Sequence, residues 1–231
     1  MILSSSEKGN HTMTKEEFLK RMKEDTEWAP GWEAIEQEFA RLYPHQEPKH
    51  YATLMTARAI LGGNEFLDGY SVYQSPKGFL HIVTFGMTEL YAEEDAFGGE
   101  WNKWGYEMTF KLKEQDAEHC LWAIDMLSNL ARYTYTTKRF FEPYQYIAGN
   151  GKSLHIEEDS AITALLTVPD TEARTLNTLY GKTEFIQLVG ITEQELEAVK
   201  SGACDARTLC SLMQAYNPDL VTDMRRTKSY L

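Results

Sequence analysis

The stretch Leu90–Leu112 constrains the fold most strongly, because it contains the clearest strand pattern in the chain. One set of alternating positions within it is apolar: Tyr106, Met108, Phe110 and Leu112. The positions between them are polar: Glu107, Thr109 and Lys111. A period of two predicts a β-strand with one face in a core and the other toward water or a partner. The preceding segment, Val83–Tyr91, is more uniformly apolar and predicts an interior strand.

The loop between these two strands mixes carboxylates, such as Glu93, Glu94 and Asp95, with large aromatic rings. Aromatic rings among charged residues are typical of a recognition surface. The same composition also fits a solvated loop whose rings tuck under neighbouring helices, and the sequence leaves both interpretations open. For the recognition interpretation, the candidate partner-binding residues are Tyr91, Asp95, Phe97, Glu100, Trp101, Trp104, Tyr106 and Glu107.

Helices are predicted on both sides of this strand region. Thr14 and Glu17 have the spacing of a capping box, which opens a first helix, and Thr192 with Glu195 repeats that pattern near the C-terminus. Pro30 suits the first turn of a second helix. The remaining helices are predicted at Ala117–Tyr135 and Ala206–Tyr216.

Strands fill the rest of the chain. They are predicted at His50–Leu54, Tyr70–Tyr73, Phe79–Phe85, Ala161–Val168, Leu176–Leu179, 183–191 and 220–224. The order of elements is not a strict alternation of strand and helix, so we expect an α+β fold with a central mixed, largely antiparallel sheet flanked by helices. Residues 1–12 are expected to be a flexible tail, and 13–231 a single domain.

Net charge and cysteine usage narrow the classes of partner and the compartment. A formal charge of −12 argues against nucleic-acid binding, which needs clustered Lys and Arg. It permits a basic protein partner, although acidity is also an ordinary means of staying soluble. The apolar runs are far shorter than the ~20 residues that span a bilayer, so no membrane partner is expected. An odd number of cysteines without C-x-x-C spacing indicates a reducing cytoplasm.

Patterns for chemistry are weak. The six histidines are scattered, so neither a metal site nor a cofactor is expected. No G-x-S-x-G elbow is present for nucleophilic catalysis. Adjacent carboxylates such as Glu93 and Glu94 leave open a hydrolase that uses loop residues. Exposed aromatics on the same loop leave open a self-associating scaffold, and the oligomeric state stays undetermined.

The near-terminal segment 222–226 carries opposite charges close together. Asp223 with Arg225 and Arg226 predicts an ion-pair network that ties the C-terminus to the sheet, with partner contact as the alternative.

Many stretches of the chain resemble the N-terminal domain of the suppressor of fused family, in the right order. They are WEAIEQEFARLYP, LGGNEFLDGYSVY, FGMTELYAE, WGYEMTFKL, LARYTY, GKTEFIQLVGITEQELEA and LVTDMRR. Together they extend from about Trp28 to Arg226. The resemblance implies a mixed α/β fold and a function in binding rather than catalysis.

In animal members of that family, the protein restrains GLI-type transcription factors by clamping a short peptide strand between two domains. The tyrosine of the family's L-Y motif lines the peptide groove, and it corresponds here to Tyr91. An aspartate in the following loop also contributes, and this shorter loop offers Glu100 or Asp95 in its place. We expect no counterpart of the clamp's second domain within these 231 residues.

The compact form is similar to the bacterial branch of the family, which implies an immunity-type protein that binds and neutralises a toxin. A basic toxin or a peptide strand is then the expected partner.

Overall fold

The structure is a computed structural model and describes residues 13–52 and 66–231. In these ranges it contains five α-helices: α1 (Lys15–Glu24), α2 (Pro30–Leu42), α3 (Leu121–Thr137), α4 (Glu193–Ser201) and α5 (Ala206–Gln214). The strands are β1 (Lys49–Ala52), β2 (Gly69–Ser75), β3 (Phe79–Phe85), β4 (Trp101–Leu112), β5 (Tyr146–Ile147), β6 (Ile162–Pro169), β7 (Leu176–Thr178) and β8 (Gly181–Thr192). Two short 3-10 segments, Glu94–Ala96 and Ala117–Cys120, complete the regular structure.

All eight strands belong to one sheet. Its order is β1-β2-β3-β4-β8-β6-β5, and β7 pairs with the start of β8. β4 and β8 are parallel, and every other pair is antiparallel. The predicted α+β class with a mixed, largely antiparallel sheet is confirmed.

Both predicted capping boxes form. The Thr14 hydroxyl accepts from the Glu17 amide and the Glu17 carboxylate accepts from the Thr14 amide, and Thr192 and Glu195 do the same at α4. Pro30 is the first residue of α2. These local signals specify helix starts because each one satisfies backbone donors that the first helical turn leaves free.

Helices cover both faces of the sheet. Ala123, Leu127 and Ala131 of α3 pack on one face in the largest hydrophobic cluster. On the opposite face, Ile35 and Phe39 of α2 pack over the first strands. The two C-terminal helices cover β6 and the end of β8 on that same side. A sheet covered on both sides leaves its central strands no solvent face.

The prediction that Glu107, Thr109 and Lys111 form an outward face was therefore wrong. All three side chains are fully buried. β4 lies between β3 and β8, and these neighbours are buried along nearly their whole length. The alternation in β4 thus separates an apolar buried face from a polar buried face, and the polar face finds its hydrogen-bond partners inside the protein.

Several boundaries differ from prediction. β3 ends at Phe85 instead of continuing to Tyr91, and 220–224 forms only one bridge, between Leu112 and Thr222. β5 and β6 are joined by the irregular segment 148–161, in which Gly151 has a φ of +73°. The predicted tail 1–12 and the end of the predicted His50–Leu54 strand lie outside the described residues. None of the helices within 13–52 and 66–231 combines the length and hydropathy that a bilayer crossing requires.

Candidate functional site

Glu107 holds the segment that leads from β3 into the acidic and aromatic loop. Its buried carboxylate accepts five hydrogen bonds, from the hydroxyls of Thr84 (2.6 Å) and Thr88 (2.6 Å) and from the amides of Gly86, Met87 and Thr88 (2.9–3.3 Å). Glu107 therefore positions the loop from inside the protein. As a direct contact for a partner it is ruled out by its burial, which corrects the sequence-based expectation.

Burial has an electrostatic cost at this position. It raises the pKa of the Glu107 carboxyl above its ordinary value, and the hydrogen bonds from Thr84, Thr88 and Gly86 oppose that rise. A carboxylate that is expensive to bury and is met by five donors has a structural role, because removing it would leave those donors without an acceptor.

The N-terminus of α2 fixes the next part of the loop. The Leu90 carbonyl accepts from the amides of Gly31 (3.0 Å) and Trp32 (3.3 Å). Gly31 is required at this contact, since a Cβ there would lie 2.0 Å from the Glu89 carbonyl oxygen. On the other side, the Glu89 amide donates to Asn102 Oδ1 at 2.7 Å. The backbone before Tyr91 is thus clamped between α2 and β4.

Tyr91 is held by its backbone while its ring reaches the surface. Its carbonyl accepts from the hydroxyl of buried Tyr180 at 2.5 Å, and its own hydroxyl donates to Asp68 Oδ1 at 3.2 Å. The residue is 47% exposed. A fixed aromatic ring of this kind loses little conformational freedom on contact with a partner.

Phe97 turns inward after the 3-10 segment. Its ring centroid lies 4.7 Å from that of Phe18 in α1, within a cluster that also contains Trp28 and Tyr180. For Phe97 the tucked interpretation applies. Asp95, two residues earlier, is exposed and forms no ion pair within the part of the chain that the structure describes.

Trp101 opens β4 and is 48% exposed. Its ring lies under the ammonium of Lys182, which is 4.5 Å from the ring centroid. Gly105 lies against the other part of the indole: its φ is +83°, and a Cβ there would be 2.9 Å from Trp101 Cε3. The indole therefore contacts Lys182 and Gly105, and nearly half of the residue stays in solvent beside exposed Glu100.

Trp104 and Tyr106 face α3 instead. Trp104 is half-buried and packs edge-on against Tyr135 at 5.4 Å. Tyr106 is buried, and its hydroxyl lies 3.2 Å from that of Thr134. Of the eight predicted partner-binding residues, the structure thus leaves four well exposed, namely Tyr91, Asp95, Glu100 and Trp101, which we call the loop surface.

A second polar cluster lies on the same buried face of β4. His81 Nε2 is 3.0 Å from Asp170 Oδ2, and His81 Nδ1 is 2.8 Å from the Tyr43 hydroxyl. Thr109 donates to Asp170 at 2.6 Å, and the Lys111 ammonium lies 3.4 Å from the same carboxylate. Hydrogen-bonded Tyr, His and Asp side chains resemble a catalytic relay in composition.

Burial decides against catalysis by this cluster. The side chains of His81, Asp170 and Lys111 have no exposed area, so a substrate has no access to them. Burial alone would raise the pKa of Asp170, but the charge and hydrogen bond of His81 and the charge of Lys111 hold it well below its usual range. The cluster is a buried ion-pair network that links β3 and β4 to the segment after β6.

Arg226 bonds to α4 through Glu195 and to the Gly190 carbonyl of β8, and Glu195 is a partner outside the predicted set of Asp223, Arg225 and Arg226. Its guanidinium donates to both carboxylate oxygens of Glu195, at 2.7 and 3.0 Å. Asp223 pairs separately with Lys113 at 2.7 Å. Arg225 is exposed and its amide donates to Asp223. Among the described residues, no group of three or more His, Cys, Asp and Glu side chains is arranged to hold a metal ion.

Sequence reasoning missed Asn102 and Tyr180 as residues that shape the loop, and it assigned Glu107 to partner contact instead of to this structural role. One signal was available: the strands on either side of β4 in the sheet contain short apolar runs at adjacent positions, such as Ile82-Val83, Phe185-Ile186 and Leu188-Val189. Such runs predict strands buried on both faces, and a strand between them is then buried on both faces too.

Comparison with known proteins identifies a matching family and two similar relatives. A family model described as Suppressor of fused protein (SUFU) matches residues 63–227. The Suppressor of fused homologs of Homo sapiens and Mus musculus are each 31% identical over 214 residues. These matches cover 85% of this chain and 43% of either relative, so the chain spans less than half the length of both.

Solved structures of the same family have a similar fold. Drosophila Suppressor of Fused superposes with a TM-score of 0.76 at 26% identity, covering 87% of this chain and 51% of that one. A chain of a Sufu–Fu complex matches with the same score and identity, and 93% of it is covered. A putative homologue from Neisseria gonorrhoeae, 15% identical with a TM-score of 0.55, is similar in fold over 87% of this chain and 97% of its own.

Proposed function

Because the chain belongs to the suppressor of fused family, we propose that it is a non-enzymatic protein-binding module that holds a partner on the loop surface. The observation that carries the proposal is a rigidly anchored loop with two large aromatic rings left in solvent. Tyr91 and Trp101 are each about half exposed, although the Tyr91 carbonyl is held by the Tyr180 hydroxyl and Trp101 pairs with Lys182 of β8. Interface hot spots are commonly rings of this kind.

The charge of the loop surface supports a basic partner. Asp95 and Glu100 are exposed, and neither has an ion-pair partner among the described residues. The whole chain carries a formal charge of −12. Complementary charge accelerates association and discriminates against acidic proteins. We propose that the module is an immunity-type inhibitor that neutralises a basic toxin in a reducing cytoplasm, in keeping with its three free cysteines.

The Sufu–Fu complex supports the same class of role. The Sufu chain of that complex is 93% covered by this one and was solved together with Fu. Fu or a GLI-type factor is not proposed as the partner here, since the chain spans less than half of the curated relatives.

The proposal is tested by capture from the source cell followed by mass spectrometry. Wild type, Trp101→Ala and Tyr91→Ala are compared with the control Tyr216→Ala, which removes an exposed ring elsewhere. We expect one basic protein with wild type and with the control, lost with both loop variants and released by high salt. Equal capture by all four proteins, each with a native circular dichroism spectrum, would refute the loop surface.

Two other functions predict different results. A hydrolase using loop carboxylates predicts turnover that is lost in Glu100→Gln; Glu107 is excluded from such a role because it is fully buried. A self-associating scaffold predicts a sedimentation coefficient that rises with protein concentration and falls in Trp101→Ala. A monomer at every concentration would end the scaffold alternative.

A further inference from the structure

A second surface lies at the opposite end of β4 from the loop surface. An open groove of about 1170 Å³ runs between α3, the 3-10 segment 117–120, the segment 154–158 and residues 223–225. Leu112 lines it, whereas Trp101 of the loop surface begins the same strand. At ~3.3 Å per residue the two ends of β4 are roughly 35 Å apart. A molecule on one surface therefore leaves the other accessible.

The floor of the groove is apolar. Trp122, Met126 and Leu130 line it at four-residue spacing along α3. Leu121 is 45% exposed and Ile156 is 90% exposed at its edges. Ridges of side chains four residues apart are what a second helix packs against. Methionine adapts its shape to different partners, which suits a binding floor.

One wall of the groove is built before any partner arrives. The imidazole of His155 stacks on the indole of Trp122, with centroids 5.0 Å apart and planes at 11°. This stack fixes the segment 154–158 against α3, so the groove keeps its width without an occupant. A preformed groove costs less ordering on binding than one that must be assembled.

The rim of the groove is acidic. Six carboxylates line it against two permanent cations, Lys113 and Arg225. The carboxylates are Glu114, Glu118, Asp125, Glu157, Glu158 and Asp223. Lys113 is already paired with Asp223, and Glu118 with Lys49. Asp125 and Glu157 have no ion-pair partner among the residues described, so their charge is available to a ligand.

We propose that this groove binds an amphipathic helix whose polar face carries lysine or arginine. The apolar face of the helix packs on Trp122, Met126 and Leu130, and its cations meet Asp125 and Glu157. Neither the apolar floor nor the acidic rim would select this ligand alone: together they require apolar and basic residues on opposite sides of one helix. The inference is independent of the loop surface.

The test uses a synthetic peptide of roughly 18 residues, ~27 Å long as a helix, with leucine on one face and lysine on the other. The matched probe carries glutamate in place of every lysine. Binding to the full chain is measured by titration calorimetry, and the site is mapped by backbone amide chemical shifts. We expect the lysine peptide alone to bind, with shifts confined to 121–130 and 154–158.

Two variants examine the charge and the floor separately. Asp125→Lys/Glu157→Lys is expected to weaken binding by about tenfold or more, since attraction becomes repulsion at two positions. Glu27→Lys/Glu47→Lys changes the net charge equally at exposed sites away from the groove and is expected to have no effect beyond twofold. Ile156→Ser, at a side chain too exposed to affect folding, is expected to weaken binding severalfold.

Four results would overturn the proposal. They are failure of the lysine peptide to bind, equal binding of the glutamate peptide, equal weakening by the control charge reversal, and shifts that map outside the groove. Concentration-dependent dimerisation of the free protein that Ile156→Ser abolishes would also overturn it, because the occupant would then be a second copy of the chain.

Discussion

Replacing Glu107 by alanine should destabilise the protein far more than a strand carboxylate ordinarily does. The substitution removes one acceptor from five donors, three of them buried backbone amides of Gly86, Met87 and Thr88. A buried donor without a partner costs ~1–3 kcal/mol, and local rearrangement recovers part of that. We therefore expect the free energy of unfolding to fall by about 3–5 kcal/mol, a large share of the ~5–15 kcal/mol typical of a domain.

The assay is equilibrium urea unfolding, followed by circular dichroism, of Glu107→Ala, Glu107→Gln and the matched control Glu100→Ala. Glutamine keeps the shape and one acceptor oxygen, so its cost should be about 2 kcal/mol. Glu100 is exposed, and its replacement should change the free energy of unfolding by less than about 0.5 kcal/mol. Amide hydrogen exchange adds a local measure: 86–91 should lose protection in Glu107→Gln while α3 keeps it.

Two results would refute this reasoning. If Glu107→Ala costs no more than Glu100→Ala, the five hydrogen bonds do not hold the loop. If Glu107→Gln is destabilised but 86–91 stays protected, the carboxylate contributes to general stability and does not position the loop surface. Should Glu107→Ala fail to fold, Thr88→Val removes one donor from the same carboxylate and should cost about 1 kcal/mol.

Further predictions concern the C-terminal ion pair, the glycine under the indole and the buried lysine. Arg226 holds the pKa of Glu195 below its usual value against the effect of burial, so the pair stabilises the fold above the ordinary pKa of 4.5 and loses that effect as pH falls through the lowered pKa. In urea unfolding, Arg226→Ala should lower the free energy of unfolding by about 3 kcal/mol at pH 7 and by clearly less near pH 3. An equal loss at both pH values would contradict a stabilising ion pair between Arg226 and Glu195. Gly105→Ala should lower the free energy of unfolding, measured by thermal unfolding, by about 2–3 kcal/mol, because φ is positive and the new Cβ would meet the Trp101 ring. Gly78→Ala is the control and should lower it by ~1 kcal/mol, because φ is also positive there but nothing lies near the new Cβ. Lys111→Ala removes one of the two cationic partners of the buried Asp170 carboxylate, so the free energy of unfolding should fall by about 3–5 kcal/mol; a fall of less than about 1 kcal/mol would contradict this.

Helix starts could be predicted from the sequence because capping is local. Thr14 with Glu17, and Thr192 with Glu195, satisfy each other within three residues. The exposure of β4 could not be predicted in this way. The alternation of residues shows which positions are polar, but it does not show what satisfies them. The carboxylate that pairs with His81 and Lys111 belongs to Asp170, far along the chain. A polar strand face is the same pattern whether water or a distant carboxylate satisfies it.

The candidate site was likewise predictable only where local sequence decides the outcome. Composition identified the loop, and two of its four aromatic rings, Tyr91 and Trp101, are well exposed. The other two were decided by contacts that no local pattern encodes: Phe97 meets Phe18 of α1, and Trp104 meets Tyr135 of α3. Exposure of a loop ring depends on which distant element lies over it.

The parallel pairing of β4 with β8 has a consequence for how the chain reaches its native state. Tyr106 pairs with Glu184, roughly 80 residues further on, so the centre of the sheet closes a very long loop. Contacts of this separation slow folding. During synthesis, β4 emerges well before its neighbour, with one edge and a polar face unsatisfied. The chain past Thr192 must leave the ribosome before the sheet can close, and until then β4 presents the kind of unpaired edge that can pair with another chain.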